Sequence, residues 1–398
     1  MEKNFTQEND YGLSKFETCR GSFLHYFYTK MLKKFDTKNR LRICFVISST
    51  LLYLIPLIIA FLSIDSLWSP DGKYLKLPFL RDYNVMFMST IAIPFLFCFL
   101  LVEKEKIPES VASAARKGIL KPKGKDYKKF LNIWRNIYKW VNIGSIPVGI
   151  TIGIFVSYAN YSVFSQQDFG GWQMTDNQLN LPGWIFILWQ LPITVWIFSI
   201  YVMRNTTTMF FLHYLVKKSE IHLDPFHQDK SAGLKKVGEL GLRNQYILMV
   251  LGCNLLLYGY VGNIFSWDKA FIFLMTIMIF GYLLVGIFAF VGPLLPFRKV
   301  MLETKKIEVE KISNVLTNAY KDVLYKISNE SISKEAWENI SHLLEFQKAV
   351  KNIPVWPLDI ETIKKFLKAY LIPPITGIIS LILKQLFELA NQLFIHVK

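Results

Sequence analysis

His222, Asp224, His227 and Asp229 fall within eight residues of one polar stretch, Lys217 to Leu234, with His213 and Glu239 nearby in sequence. Imidazole nitrogens and carboxylate oxygens together form a donor set for zinc or another first-row divalent cation. Pro225 and Gly233 favour a fixed turn here over a helix. The same side chains can equally cap helices and bond backbone, with Asp229 as the N-cap of a helix running through Leu242. Both uses stay open, and a divalent metal at 222–229 is the single cofactor to which the chain points. The sequence contains no H-E-x-x-H, nucleophile elbow, phosphate-binding P-loop or dinucleotide fingerprint. It also lacks an acidic cluster that would hold Mg²⁺ beside an apolar run. An enzyme is therefore not expected.

The elements that position this loop are apolar. Six uncharged runs divide the chain: Ile43–Ile64, Tyr83–Val102, Trp140–Gln167, Asn177–Met203, Asn244–Trp267 and Ala270–Phe297. Each is long enough to cross about 30 Å of hydrocarbon as a helix. Basic residues gather in alternate gaps: nine Lys/Arg in 1–42, eleven in 103–139, seven in 204–243, and none between Lys139 and Arg204. That bias places both termini in the cytoplasm. Trp68, Trp172, Trp184 and Trp267 mark the outer edge and Trp140 the inner edge, as an aromatic belt does. The fold class that follows is an all-α, polytopic membrane protein with six transmembrane helices and a cytoplasmic helical C-terminal region. The Lys/Ile/Asn-rich composition points to the inner (plasma) membrane of a bacterium. The first apolar run is too long for a signal peptide, so it reads as an internal first span.

The net charge of +16 sits in the gaps beside the spans, where anionic lipid headgroups attract it, so a nucleic-acid partner is not expected. The four cysteines are scattered without a C-x-x-C pair, which implies neither a redox motif nor a zinc knuckle.

Inside the runs there is no Asp, Glu, Lys, Arg or His, which argues against a proton-coupled carrier. Neutral polar residues are plentiful, and Ser49, Thr90, Ser145, Gln190 and Asn254 are the candidates for lining a path, with hydrogen bonding between helices as the alternative. Pro56, Pro94, Pro147 and Pro192 lie near mid-span and favour kinks that can act as hinges. Gly149 and Gly153 form a G-x-x-x-G face for close helix packing, within one chain or between subunits.

Four regions are expected: a basic N-terminal segment 1–42; a membrane domain 43–297 with basic cytoplasmic loops 103–139 and 204–243; a cytoplasmic helical region 298–368; and an interfacial or re-entrant amphipathic helix 369–398. Ile312, Val315, Ala319, Val323 and Ile327 give a first tail helix. Ser333 would cap a second and Asp359 a third carrying Phe366 and Tyr370. A seventh crossing in 369–398 would put the C-terminus outside.

The stretch His227, Gln228, Asp229, Lys230, Ser231, Ala232, Gly233, Leu234 resembles the H-P-D-x-x-G-G-L loop of a loose set of multi-pass bacterial membrane proteins. It departs from that pattern at Gln228 and Ala232. The resemblance implies a multi-pass topology and a loop of interest, and no activity. The function expected first is an oligomeric inner-membrane channel or pore for small ions, regulated from the cytoplasm and assembled as a homo-oligomer. The second is a membrane-anchored sensor, interaction protein or defence effector acting with a soluble cytoplasmic partner. The third is a transporter of a small neutral solute.

Overall fold

The computed structural model describes residues 11–31, 36–63, 77–123, 126–164, 171–175, 178–223, 231–264, 269–328, 334–352 and 355–358, with 363–364, 366–368, 370–371 and 375. It is mostly helical (82 %). The helices are α1 (Phe23–Met31), α2 (Thr37–Ser49), α3 (Ile55–Leu62), α4 (Tyr83–Phe87), α5 (Ile93–Arg116), α6 (Tyr127–Phe164), α7 (Leu181–Ile185), α8 (Leu191–Lys217), α9 (Lys235–Ile264), α10 (Lys269–Val291), α11 (Leu295–Ser328) and α12 (Lys334–Lys351). Among the described residues five stretches are long and apolar enough to cross a membrane: Asn39–Leu62, Tyr83–Arg116, Tyr127–Ser162, Leu181–Lys217 and Lys235–Gly259. A sixth is present if Thr276–Val291 and Leu295–Tyr325, which meet at a 50° bend, are taken together. This is a multi-pass membrane architecture.

Three of the four mid-span prolines stand just beyond a five-residue π turn. Thr50–Leu54 precedes Pro56, Met88–Ala92 precedes Pro94, and Phe186–Gln190 precedes Pro192. A proline ring collides with the carbonyl four residues back and offers no N–H to it. Widening the preceding turn relieves the collision, and a neighbouring hydroxyl can take the freed carbonyl. Ser49 Oγ donates to the Thr90 carbonyl at 2.8 Å, four residues before Pro94. Ser157 Oγ donates to the Ile187 carbonyl at 2.8 Å, five residues before Pro192. Pro147 lies inside α6 without such a turn.

The basic gaps are less loop-like than the sequence suggests. α5 runs on to Arg116, α6 starts at Tyr127, α8 runs on to Lys217 and α9 starts at Lys235. The continuing turns are amphipathic, and they close a core of their own at the basic end of the bundle. Val111, Trp134, Tyr138, Phe211, Val237 and Met301 are buried there together with Leu13 and Phe16 from the N-terminal segment. Phe16 stacks on Phe211 with ring centroids 4.7 Å apart. The all-α expectation needs one amendment: among the described residues two short antiparallel pairs occur. β1 (Leu120–Pro122) pairs with β4 (Ser219–Ile221), tying the two basic linkers together, and β2 (Met174–Thr175) pairs with β3 (Gln178–Leu179) at the opposite end.

The tail also differs from a simple continuation of the last span. The chain bends at 292–294, after which α11 and α12 pack on each other through Val309, Ile312 and Val350. Beyond them the chain returns to the membrane helices. Leu358 sits with Leu248 and Leu294, Phe366 stacks on Phe290 at 3.6 Å, and Tyr370 OH donates to the Leu283 carbonyl at 2.6 Å. Gly286 makes room for the Tyr370 ring, since a Cβ there would meet it. Ser333 and Asp359 lie outside the described residues, as does the 369–398 segment apart from Tyr370, Leu371 and Ile375.

Candidate functional site: a mid-span cavity with charge at one end

A cavity of about 480 Å³ opens between α4–α5, α6, α8 and α9. Its walls are apolar; Leu96, Val148, Ile152, Phe198 and Leu251 contribute to them. Val148 and Ile152 are 40 % and 44 % exposed, so this wall reaches the outer surface of the bundle at span depth. Two polar groups in the lining have no hydrogen-bond partner among the described residues. Asn254 Oδ1 is buried and unpaired, and Thr194 is buried with no bond to its hydroxyl. A concave, mostly apolar pocket with few polar groups is the usual form of a small-molecule site.

Toward the basic end, three charged side chains lie on the helices that wall the cavity. Arg204 of α8 is 3 % exposed and donates to Asn142 Oδ1 at 2.6 Å, the Leu100 carbonyl at 3.1 Å and Ser22 Oγ at 2.8 Å. All three acceptors are neutral. Asn142 is fixed in turn by donating to the Thr18 and Arg20 carbonyls at 3.1 and 2.9 Å. The N-terminal segment thus supplies groups that hold a guanidinium between spans. Tyr138 and Thr208 share a hydrogen bond of 2.9 Å beside it, and Thr208 donates to the Arg204 carbonyl.

Glu103 of α5 is buried, and its Oε2 has no donor. No ion pair joins it to Arg204 or Arg243. Arg243 of α9 lies with its guanidinium carbon 5.1 Å from the centre of the Phe99 ring. Among the described residues it has no hydrogen-bonded acceptor and no carboxylate within ion-pair distance. Its own helix places it well: Arg243, Ile247, Val250 and Asn254 recur at three- and four-residue steps on one face. That is the face that lines the cavity.

At the opposite end a different cluster is closed on itself. Asp82 caps α4, accepting from the Val85 N–H at 3.0 Å and from Trp172 Nε1 at 3.0 Å. Trp172 is fully buried, edge-on to Phe79 and Phe186. Burial pushes the Asp82 carboxyl above its ordinary range, while the bonds from Trp172, Val85 and Asn84 oppose that rise. Nearby, Gln190 Nε2 donates to Ser89 Oγ, which donates to the Val85 carbonyl at 2.6 Å.

The residues named from the sequence are distributed over these regions. Ser49, Ser145 and Gln190 donate to the Thr90 carbonyl, the Asn142 carbonyl and Ser89 Oγ respectively, and Thr90 Oγ1 donates to the Met86 carbonyl. Of the five path candidates, Asn254 lines the cavity. Gly149 and Gly153 face α8, where a Cβ would meet Trp196 and Pro192. His222 is held by its backbone, its N–H donating to the Ile119 carbonyl at 2.8 Å as an extension of the β1–β4 pair, and its exposed imidazole lies 3.8 Å from Glu220. Asp224, His227 and Asp229 lie outside the described residues.

Sequence reading missed Glu103, Arg204 and Arg243 because each was counted with a loop. The signal was present in the run boundaries. Glu103 follows Val102, Arg204 follows Met203 and Arg243 precedes Asn244, so all three flank uncharged runs at one level of the bundle. Comparison with protein-family models, curated proteins and solved structures finds no match.

Proposed function

We propose that this chain is a membrane-embedded binding protein of the sensor class. It takes an apolar molecule from the bilayer into the mid-span cavity and passes the state of that cavity to the helices beyond its basic end. The observation that carries this reading is the cavity itself: about 480 Å³, apolar, and walled by four helices that each continue into the basic-end core. Filling or emptying it changes how those four helices pack, and packed interiors respond to such changes in discrete steps. The positive-inside bias puts the basic end in the cytoplasm in this reading, where a soluble partner or a second copy can meet α11 and α12.

An ion path remains the alternative outcome. It draws little support from Ser49, Thr90, Ser145 and Gln190, whose polar groups are engaged between or within helices.

Ile152→Trp tests the reading, because Ile152 lines the cavity and is partly exposed, so a larger side chain is accommodated without disturbing a core. Native mass spectrometry of protein transferred between mild detergents would count retained lipid. One lipid per chain on the wild type and none on the variant, at equal melting temperature, is expected. Equal retention overturns the cavity reading. Rapid K⁺ or Cl⁻ release from sealed liposomes by both proteins would replace it with a channel.

A further inference from the structure

The basic end of the cavity is short of one negative charge. Arg204 and Arg243 contribute two positive charges, and Glu103, the carboxyl beside them, offsets at most one and is ion-paired to neither. Arg204 spends its donors on neutral acceptors that hold it in place. Arg243 does not. Its guanidinium rests on the Phe99 ring, a cation–π contact that leaves the in-plane N–H groups to be satisfied elsewhere. A guanidinium with open donors is a bidentate receptor for phosphate or carboxylate oxygens.

Its position says what the anion is attached to. Arg243 is one helical turn, about 6 Å, beyond Ile247 on the face of α9 that lines the cavity. It also borders an uncharged run, the level at which a span leaves hydrocarbon for headgroups. Apolar walls end where a cation begins, and the wall is exposed at Val148 and Ile152. That sequence of surfaces matches an amphiphile with its chain in the cavity and its anionic head on the guanidinium.

We infer that the cavity's occupant is an anionic membrane phospholipid, one acyl chain lying against α5, α6, α8 and α9 and the headgroup phosphate bound by Arg243. The inference rests on the cavity reading above and adds the class of ligand and the residue that selects it. A phospholipid is chosen over a free anion because the apolar walls are useless to the latter, and because the bilayer supplies the former at the right depth.

The experiment uses the delipidated full-length chain in detergent, titrated with phosphatidylglycerol or phosphatidylcholine of identical chains and read by native mass spectrometry. Both lipids carry the phosphate, but the choline ammonium neutralises it and is repelled by the open guanidinium, so a charge-assisted contact worth about 1.5–3 kcal/mol is kept in full only by phosphatidylglycerol, a preference of about tenfold or more. Arg243→Gln is expected to abolish that preference while leaving phosphatidylcholine binding in place, and Arg243→Lys to restore part of it. Preference of wild-type strength in Arg243→Gln overturns the headgroup assignment and leaves the cavity reading standing. Binding of neither lipid to the wild type sinks both. Glycerol phosphate, the head without a chain, is the third arm: if it competes as well as the lipid does, the anion site is independent of the cavity and the inference fails. Equal melting temperatures for the variants exclude unfolding as the cause of any loss.

Discussion

The two ends of the membrane bundle handle buried charge in opposite ways. At the Trp172 end Asp82 receives donors on both carboxylate oxygens, one from the Val85 backbone and one from the Trp172 indole. At the Arg204 end Glu103 and Arg204 are buried and Arg243 is half-buried, and no ion pair joins the three. Glu103 has an oxygen with no donor, and Arg243 has donors with no acceptor among the described residues. Buried charge is costly unless it is hydrogen-bonded and paired. A charge whose complement is present is therefore part of the scaffold, while a set short of its complement marks where a missing partner fits. Neutral amides do not follow the same division, since Asn84 and Gln173 also leave oxygens unpaired near Asp82.

The largest effect expected from this contrast is at the closed end. Trp172→Ala removes a fully buried indole from between Phe79 and Phe186 and takes away a donor to Asp82. Large-to-small changes of this kind cost about 3–5 kcal/mol. Thermal melting in detergent should fall steeply, with lipid preference unchanged in whatever protein remains folded. A melting temperature within a few degrees of wild type would break the claim that this cluster is scaffold.

Arg204→Met comes next, at about 3 kcal/mol, because it strands Asn142 Oδ1, the Leu100 carbonyl and Ser22 at once. Arg243→Gln, by contrast, removes a charge with no bonded partner and should leave the melting temperature nearly unchanged. Two arginines on neighbouring helices would thus separate into one that holds the bundle and one that holds a ligand. Equal losses from both would merge them into a single structural network.

Glu103→Gln sharpens the same point in ligand affinity. It removes the carboxyl beside the two arginines without changing side-chain volume. At an effective dielectric constant of about 20, a neighbouring charge is worth about 1–2 kcal/mol at 8–16 Å. Phosphatidylglycerol should bind several-fold more tightly, opposite in sign to Arg243→Gln, and phosphatidylcholine should be unaffected. Unchanged affinity would place the headgroup out of reach of Glu103.

Much of the fold was legible because its signals are one-dimensional. Uncharged runs of span length need no knowledge of packing, and five of the six coincide with helices long and apolar enough to cross a membrane, the sixth only if the helices on either side of the 50° bend are taken together. The charged cluster was not legible because it depends on where helices stop. Reading each gap as loop from its first charge removed Glu103, Arg204 and Arg243 from the helices, although the amphipathic turns that follow them keep the helices going. The polar candidates misled for a related reason. A serine in a span is equally able to face a lumen or to serve a carbonyl that proline has freed, and the choice is made by a residue on another helix. Ser49 sits 45 residues before Pro94 in the chain, and its partner carbonyl at Thr90 becomes available through the π turn that Pro94 imposes.

The smallest effect concerns the linker into α9, the helix that carries Arg243. Ala232 and Gly233 both adopt positive φ, +52° and +86°. In the H-P-D-x-x-G-G-L pattern both positions are glycine, and the backbone here shows why: each needs the left-handed region, where a Cβ crowds the following carbonyl at a cost of about 1–2 kcal/mol. Ala232 is 2 % exposed, so the conformation is enforced by its surroundings and not chosen by the residue. Ala232→Gly removes that strain but adds freedom to the unfolded chain, which returns about 0.4–1 kcal/mol. It also deletes a buried methyl. The balance is a net change of no more than about 1 kcal/mol, with stabilisation expected where the strain term exceeds the other two. A rise of a few degrees in melting temperature with no change in phosphatidylglycerol preference would show that the basic end can be made more stable without altering what it binds. A fall would mean that the methyl's packing outweighs its backbone strain, and that this linker belongs to the closed scaffold and not to the open end.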